Sequence, residues 1–187
     1  FEGDPASAQG YRMRYFDEQL IPMDGAWVEN TDYLNVIASY QERLSREQFA
    51  LVIGSLGTDM PVTKINSFET NLGNLFADAV REATATDIAL LEAGAFREGL
   101  KSGPITRGDL YKAYPGDSRI VEGTLTGKEL ASLLSQSAAN VGQEGFLQVS
   151  GLSFGIYDRA AYSIRVRGLA IRPDAVYEVA VTERMAQ

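Results

Sequence analysis

The sequence contains no cysteine and no histidine. The first absence excludes disulfides, thiol nucleophiles and cysteine-ligated zinc, and the second removes the commonest general base and transition-metal ligand. No Ser-His-Asp or Cys-His catalytic group can exist within these 187 residues. Long apolar runs are also missing: nothing approaches the roughly 20 residues that span a bilayer, and no segment has the make-up of a signal peptide. No Asp-x-Asp-x-Asp-Gly loop of the calcium-binding type is present, although an all-carboxylate magnesium or calcium site would still be chemically open. Positive charge is in deficit, with 17 Lys and Arg against 25 Asp and Glu and a formal net charge of -8. Nonspecific attraction to nucleic acid or an anionic membrane is therefore disfavoured, and a phosphate-bearing ligand needs a local cationic pocket.

What remains is a globular composition, 45% hydrophobic and 22% charged, enough for one sizeable core. The chain begins at Phe1 and not at methionine, which reads as a fragment whose neighbours are missing. "FEGDPASAQG" is small and polar and reads as a lead-in. "YRMRYF" alternates Tyr11, Met13 and Tyr15 against Arg12 and Arg14 as a half-buried strand does, and a loop follows around Pro22, Asp24 and Gly25. From Asp32 to Phe49, Leu34, Ile37 and Leu44 lie along one face of a connecting helix, and "ALVIGSL" is a short strand. "PVTKIN", at 61–66, marks the expected boundary between residues 1–60 and a main domain of residues 61–187.

In that main domain "SFETNLGNLFADAVREAT" spaces Leu72, Leu75, Phe76, Ala79, Val80 and Ala83 along one buried helical face, and "DIALLEAG" is a buried strand. Thr106 with Asp109, and Thr126 with Glu129, stand in the capping-box relation that starts a helix, the second helix turning Leu130, Leu133, Leu134 and Ala138 inward. "RIVEGTL", "FLQVSGLSFGIYD", "SIRVRGL" and "VYEVAVTE" are strand-like. The order of elements predicts an α+β fold with mixed sheets.

Few residues nominate themselves for chemistry. In "LLEAGAFREGL" a buried run ends in small residues and then Arg97, a way to build an anion pocket and also an ordinary strand end. Asn71 and Asn74 flank Gly73 at a helix start, where their amides can satisfy orphan backbone groups. "GKE" at Gly127 lacks the phosphate-loop spacing, Ser150-Gly151 lacks the nucleophile elbow, and Phe146, Phe154 and Tyr157 sit at strand spacing as core or sheet-face residues.

Taken in series, "ETNLGNLFADAVREATATDIALLEAGAFR", "GPITRGDLYKAYPGDSRIVEGTLTGKEL" and "GFLQVSGLSFGIYD" resemble the C-terminal domain of the 5'-nucleotidase family from about Ser67 onward. "YRMRYFDEQLIPMDG" and the helix after it resemble the edge of that family's metallophosphoesterase domain and its linker helix. The resemblance implies an α/β/β/α sandwich that recognises substrate, while two divalent metal ions sit in a separate N-terminal catalytic domain absent from this chain. It implies an extracytoplasmic parent hydrolase, periplasmic or secreted, acting on nucleotides or nucleotide sugars. This chain alone would be inactive, would hold no cofactor, and would have that catalytic domain and a small anionic substrate as partners, with no nucleic acid and no membrane span. The alternatives are a noncatalytic packing or interaction module, or a domain of a related hydrolase such as a thiosulfohydrolase.

The resemblance carries three candidates for the substrate site. Arg97 matches the arginine of the family's Asn-x-Gly-Gly-Ile-Arg motif; Glu92 stands where its asparagine would be, and Ala95 where its second glycine would be. Phe96, beside Arg97, is expected to pack inward. An upstream arginine of the family is Asn66 here, and the stacking phenylalanine of its Pro-Phe-Gly-Asn turn is Gly116 in "PGDS".

Overall fold

A computed structural model describes residues 2–3, 11–12, 18, 28–46, 49–116 and 118–186. The chain divides into compact units at 1–43 and 44–187. In the first, β1 (Glu2–Gly3) pairs antiparallel with β2 (Tyr11–Arg12), so the polar lead-in contains a strand. Met13, Tyr15 and the loop at Pro22, Asp24 and Gly25 lie outside the described residues. Helix α1 (Thr31–Arg46) starts where the Asn30 side-chain oxygen accepts from the Asp32 backbone N–H, and Leu34 and Ile37 on it are exposed.

The second unit runs β3 (Val52–Leu56), α2 (Asn71–Thr84), β4 (Ile88–Glu92), a 3-10 turn (Ala93–Ala95), β5 (Gly103–Thr106) and α3 (Arg107–Ala113). It continues through β6 (Ile120–Thr126), α4 (Gly127–Ala139), β7 (Leu147–Ser150), β8 (Leu152–Tyr157), β9 (Ala160–Val166), β10 (Leu169–Ala170) and β11 (Val176–Thr182). Strand β5 had no signature in the sequence beyond its place ahead of a helix cap. It pairs antiparallel with β3, and the compact unit accordingly begins at Leu44, upstream of "PVTKIN".

The central sheet has the order β6-β11-β4-β7, with β11 parallel to β4 and the outer pairs antiparallel. A second, antiparallel sheet has the order β10-β9-β8. Strand β4 is apolar without alternation because both of its faces are covered. Leu91 packs with Leu72 and Ala77 of α2 and with Phe96 and Phe146. Ile88 and Leu90 pack with Leu130 and Leu134 of α4, Ile164 and Val166 of β9, and Val179 of β11. The result is the α+β fold with a mixed sheet that the element order predicts, in the sandwich that the family resemblance implies.

Both capping boxes form: Thr106 and Thr126 accept from the backbone of Asp109 and Glu129, whose carboxylates accept in return. These hydrogen bonds, first from the threonine side chain, hold both carboxyls below their ordinary range.

Helix α2 departs from its expected face. Leu72, Gly73 and Ala77 are buried, whereas Leu75 is 36% exposed and Ala79 and Ala83 also face out. Small residues decide the rotation. A Cβ on Gly73 would fall 2.0 Å from the side-chain oxygen of Gln148, so only glycine lets α2 approach β7 this closely. Buried Gln148 uses that space to donate to the carbonyls of Ile65 and Phe68, both at 2.7 Å, and to accept from the Thr70 backbone at 3.1 Å. The cap of α2 is Thr70, which accepts from Gly73; Asn74 donates to Glu69 instead of to the backbone.

Candidate functional site

Because β4 and β11 are parallel neighbours, their carboxyl ends open on the same edge of the sheet, the edge where ligand crevices form in such sheets. Antiparallel β6 begins there too, with Ile120 paired to Thr182. Segments from all three strands line a cavity of about 220 Å³. Ala95 and Arg97 come from the loop after β4, Tyr114, Pro115, Gly116 and Ser118 from the segment entering β6, and Thr182 and Arg184 from the end of β11. The segments are tied together by backbone bonds from Arg97 N–H to the Ala113 carbonyl (2.9 Å) and from Glu183 N–H to the Arg119 carbonyl (2.8 Å).

Arg97 is exposed, and its Nη1 donates to the carbonyls of Gly94 and Phe96. Of the five guanidinium N–H donors, those on Nε and Nη2 have no hydrogen-bond partner among the described residues. Phe96, 5% exposed, is a core residue: its ring meets Phe76 and Tyr114 edge-on at 5.3 and 4.9 Å between centroids. Glu92 does not line this cavity. It borders an adjoining one with Gln136, Asn140 and Leu147, and its Oε2 forms an ion pair with Nη2 of Arg184.

Arg184, 61% exposed, borders both cavities and was invisible to sequence reasoning, since nothing in "VYEVAVTERM" foretells which strand adjoins β4. Tyr114 was missed likewise. Its phenol is pushed up from an ordinary pKa of 10.0, first by burial and then by the Glu92 charge, with Arg184 acting the other way. Thr182 is 3% exposed, and its hydroxyl has no hydrogen-bond partner among the described residues. Gly116 has a φ of 158°, which L-residues rarely adopt, and a Cβ there would lie 4.0 Å from the Ser118 backbone nitrogen, an ordinary contact. Among the described residues no three Asp or Glu side chains converge as a metal site requires, and no helix is long and apolar enough to cross a membrane.

Fold and pocket define an α+β domain with a mixed central sheet and an arginine-bearing crevice at the carboxyl ends of two parallel strands. Residues 46–187 match the family model described as "5'-nucleotidase, C-terminal domain", and the chain belongs to that family. It is 30% identical over 171 residues to "Endonuclease YhcR" of Bacillus subtilis, covering 90% of this chain and 14% of that protein. It is 34% identical over 142 residues to the "Trifunctional nucleotide phosphoesterase protein YfkN" of the same organism, covering 72% and 10%. Among solved structures, a 5'-nucleotidase precursor from Thermus thermophilus superposes with a TM-score of 0.73 at 26% identity, over 84% of this chain and 34% of that one. The chain thus spans only a small part of the relatives it matches.

Proposed function

We propose that this chain is the substrate-recognition domain of an extracytoplasmic metallophosphoesterase that hydrolyses nucleotides or nucleotide sugars, with hydrolysis carried out by a separate dimetal domain. One observation carries this reading: Arg97, the residue that matches the family's substrate arginine, stands exposed in a crevice at the carboxyl edge of the sheet, with guanidinium donors that have no partner among the described residues. A guanidinium there binds phosphate oxygens through its planar fork. Two of the relatives, a nucleotide phosphoesterase and a 5'-nucleotidase precursor, support nucleotides as the substrate class. That structural relative is named a precursor, which supports a location outside the cytoplasm.

In this reading the chain binds and orients, and donates no proton to the reaction. The divalent metal ions would belong to the catalytic domain, since among the described residues no carboxylate cluster suits them. The test is an NMR titration of the 187-residue chain with AMP. Shifts gathered at 95–97, 114–118 and 182–184 support the assignment; shifts elsewhere, or none, overturn it.

A further inference from the structure

Arg184 reaches the Arg97 crevice from a different strand end. Its ion pair with Glu92 occupies Nη2 and leaves the rest of the guanidinium fork free of hydrogen bonds to described residues. Arg97 and Arg184 are the charged side chains lining the cavity among the described residues, and both are exposed to an incoming ligand. Thr182, from the same strand end as Arg184, adds a buried hydroxyl with no partner among the described residues, a group that is costly to leave unsatisfied.

Size and shape point the same way. At about 220 Å³ the cavity is smaller than the roughly 300–1,000 Å³ that encloses a drug-sized molecule, so it suits one charged group and its immediate neighbours. The lining offers no open aromatic platform for a base: Tyr114 is turned edge-on to Phe96, and Gly116 carries no ring.

We infer that Arg184 is a second ligand-binding arginine of this site, and that it and Arg97 clamp one oxyanion of the substrate, with the Thr182 hydroxyl as a further donor. This rests on the crevice being the substrate site. The clamp makes the anionic end of the substrate, and not its base, the part that this pocket selects. Two guanidiniums converging on one phosphate give charge-assisted hydrogen bonds from two directions and exclude ligands lacking that charge.

The experiment is an NMR titration of the 187-residue chain, and of its Arg97→Ala, Arg184→Ala and Arg184→Lys variants, with inorganic pyrophosphate, AMP and adenosine into the millimolar range. Arg184→Ala is expected to weaken pyrophosphate and AMP by about fivefold or more, to leave adenosine unchanged, and to leave the amide spectrum outside the pocket intact. Arg184→Lys should fall between, since charge survives and the fork does not. If Arg97→Ala weakens AMP and neither Arg184 variant does, the clamp is wrong and the proposed function stands. If pyrophosphate binds in an Arg184-dependent way but AMP does not bind, the clamp stands and the nucleotide reading fails. If neither anion perturbs the pocket, both are overturned.

Discussion

Glu92, at the end of β4, and Arg184, just beyond the end of parallel β11, form an ion pair at the rim of the crevice. The pair is half-exposed, so its contribution to stability is below about 1 kcal/mol. Its larger effect is on charge. Glu92 raises the Tyr114 pKa and Arg184 lowers it. Glu92→Gln is therefore expected to lower that pKa and Arg184→Ala to raise it further, read by NMR of ring-labelled tyrosine. Removing the Glu92 charge should also tighten pyrophosphate binding by about two- to fivefold at low salt; weaker binding would show that the carboxylate assists the anion. As the folded phenol titrates above its unfolded value, its contribution to stability is full below about pH 10 and falls as pH rises through the folded pKa.

Gly116 stands where the family's stacking ring is missing, and the chain is expected to bind adenosine with a dissociation constant of about millimolar or weaker, some 4 kcal/mol or less. Gly116→Phe meets nothing closer than the Ser118 backbone nitrogen at 4.0 Å with its Cβ but must adopt a φ of 158°. A gain in adenosine affinity of the 1–3 kcal/mol that base stacking roughly contributes is the outcome if the backbone relaxes. Calorimetry measures the affinity and thermal unfolding the strain. Tight adenosine binding by the unaltered chain would move the base site elsewhere.

Gly73→Ala is expected to destabilise the domain by about 2–4 kcal/mol, because the added methyl must displace Gln148 and strand its buried partners. Urea unfolding reads the loss. A change within experimental error would mean that α2 shifts freely on β7.

Asp59 is held at a pKa of about 2, from an ordinary 3.8, first by the Ser102 backbone N–H and then by Lys101. A depressed carboxylate stabilises the fold above its unfolded pKa and loses that contribution as pH falls through the folded one. Between about pH 4 and 2, Asp59→Asn should flatten the acid limb of the stability profile. An unchanged limb would show that the exposed contacts give no net stabilisation.

Without histidine or cysteine, the chain incubated with AMP and manganese or zinc should release no phosphate above background. Metal-dependent turnover that disappears when residues of this chain are substituted would require a catalytic site within it.

Much of the fold was legible from local chemistry. The capping boxes at Thr106 and Thr126 announce α3 and α4, because a side chain reaching its own backbone three residues on needs nothing from the rest of the molecule. The unbroken apolar run at Ile88–Glu92 announces a strand covered on both faces. By itself the sequence also determined what chemistry is impossible, through its missing histidine and cysteine, and it placed Arg97 in a loop after a strand. Other features depend on partners distant in sequence. The inward face of α2 was set by Gln148, 75 residues beyond Gly73, since close approach and not apolar periodicity governs that contact. β5 exists because β3 lies beside it. Arg184 joins Arg97 because β11 inserts parallel to β4, and Glu92 acquires a counter-charge by the same pairing. Local hydrogen bonds and apolar runs are written into neighbouring residues, whereas the neighbour of a strand is chosen by global packing; only the tertiary structure decided which charges share the crevice.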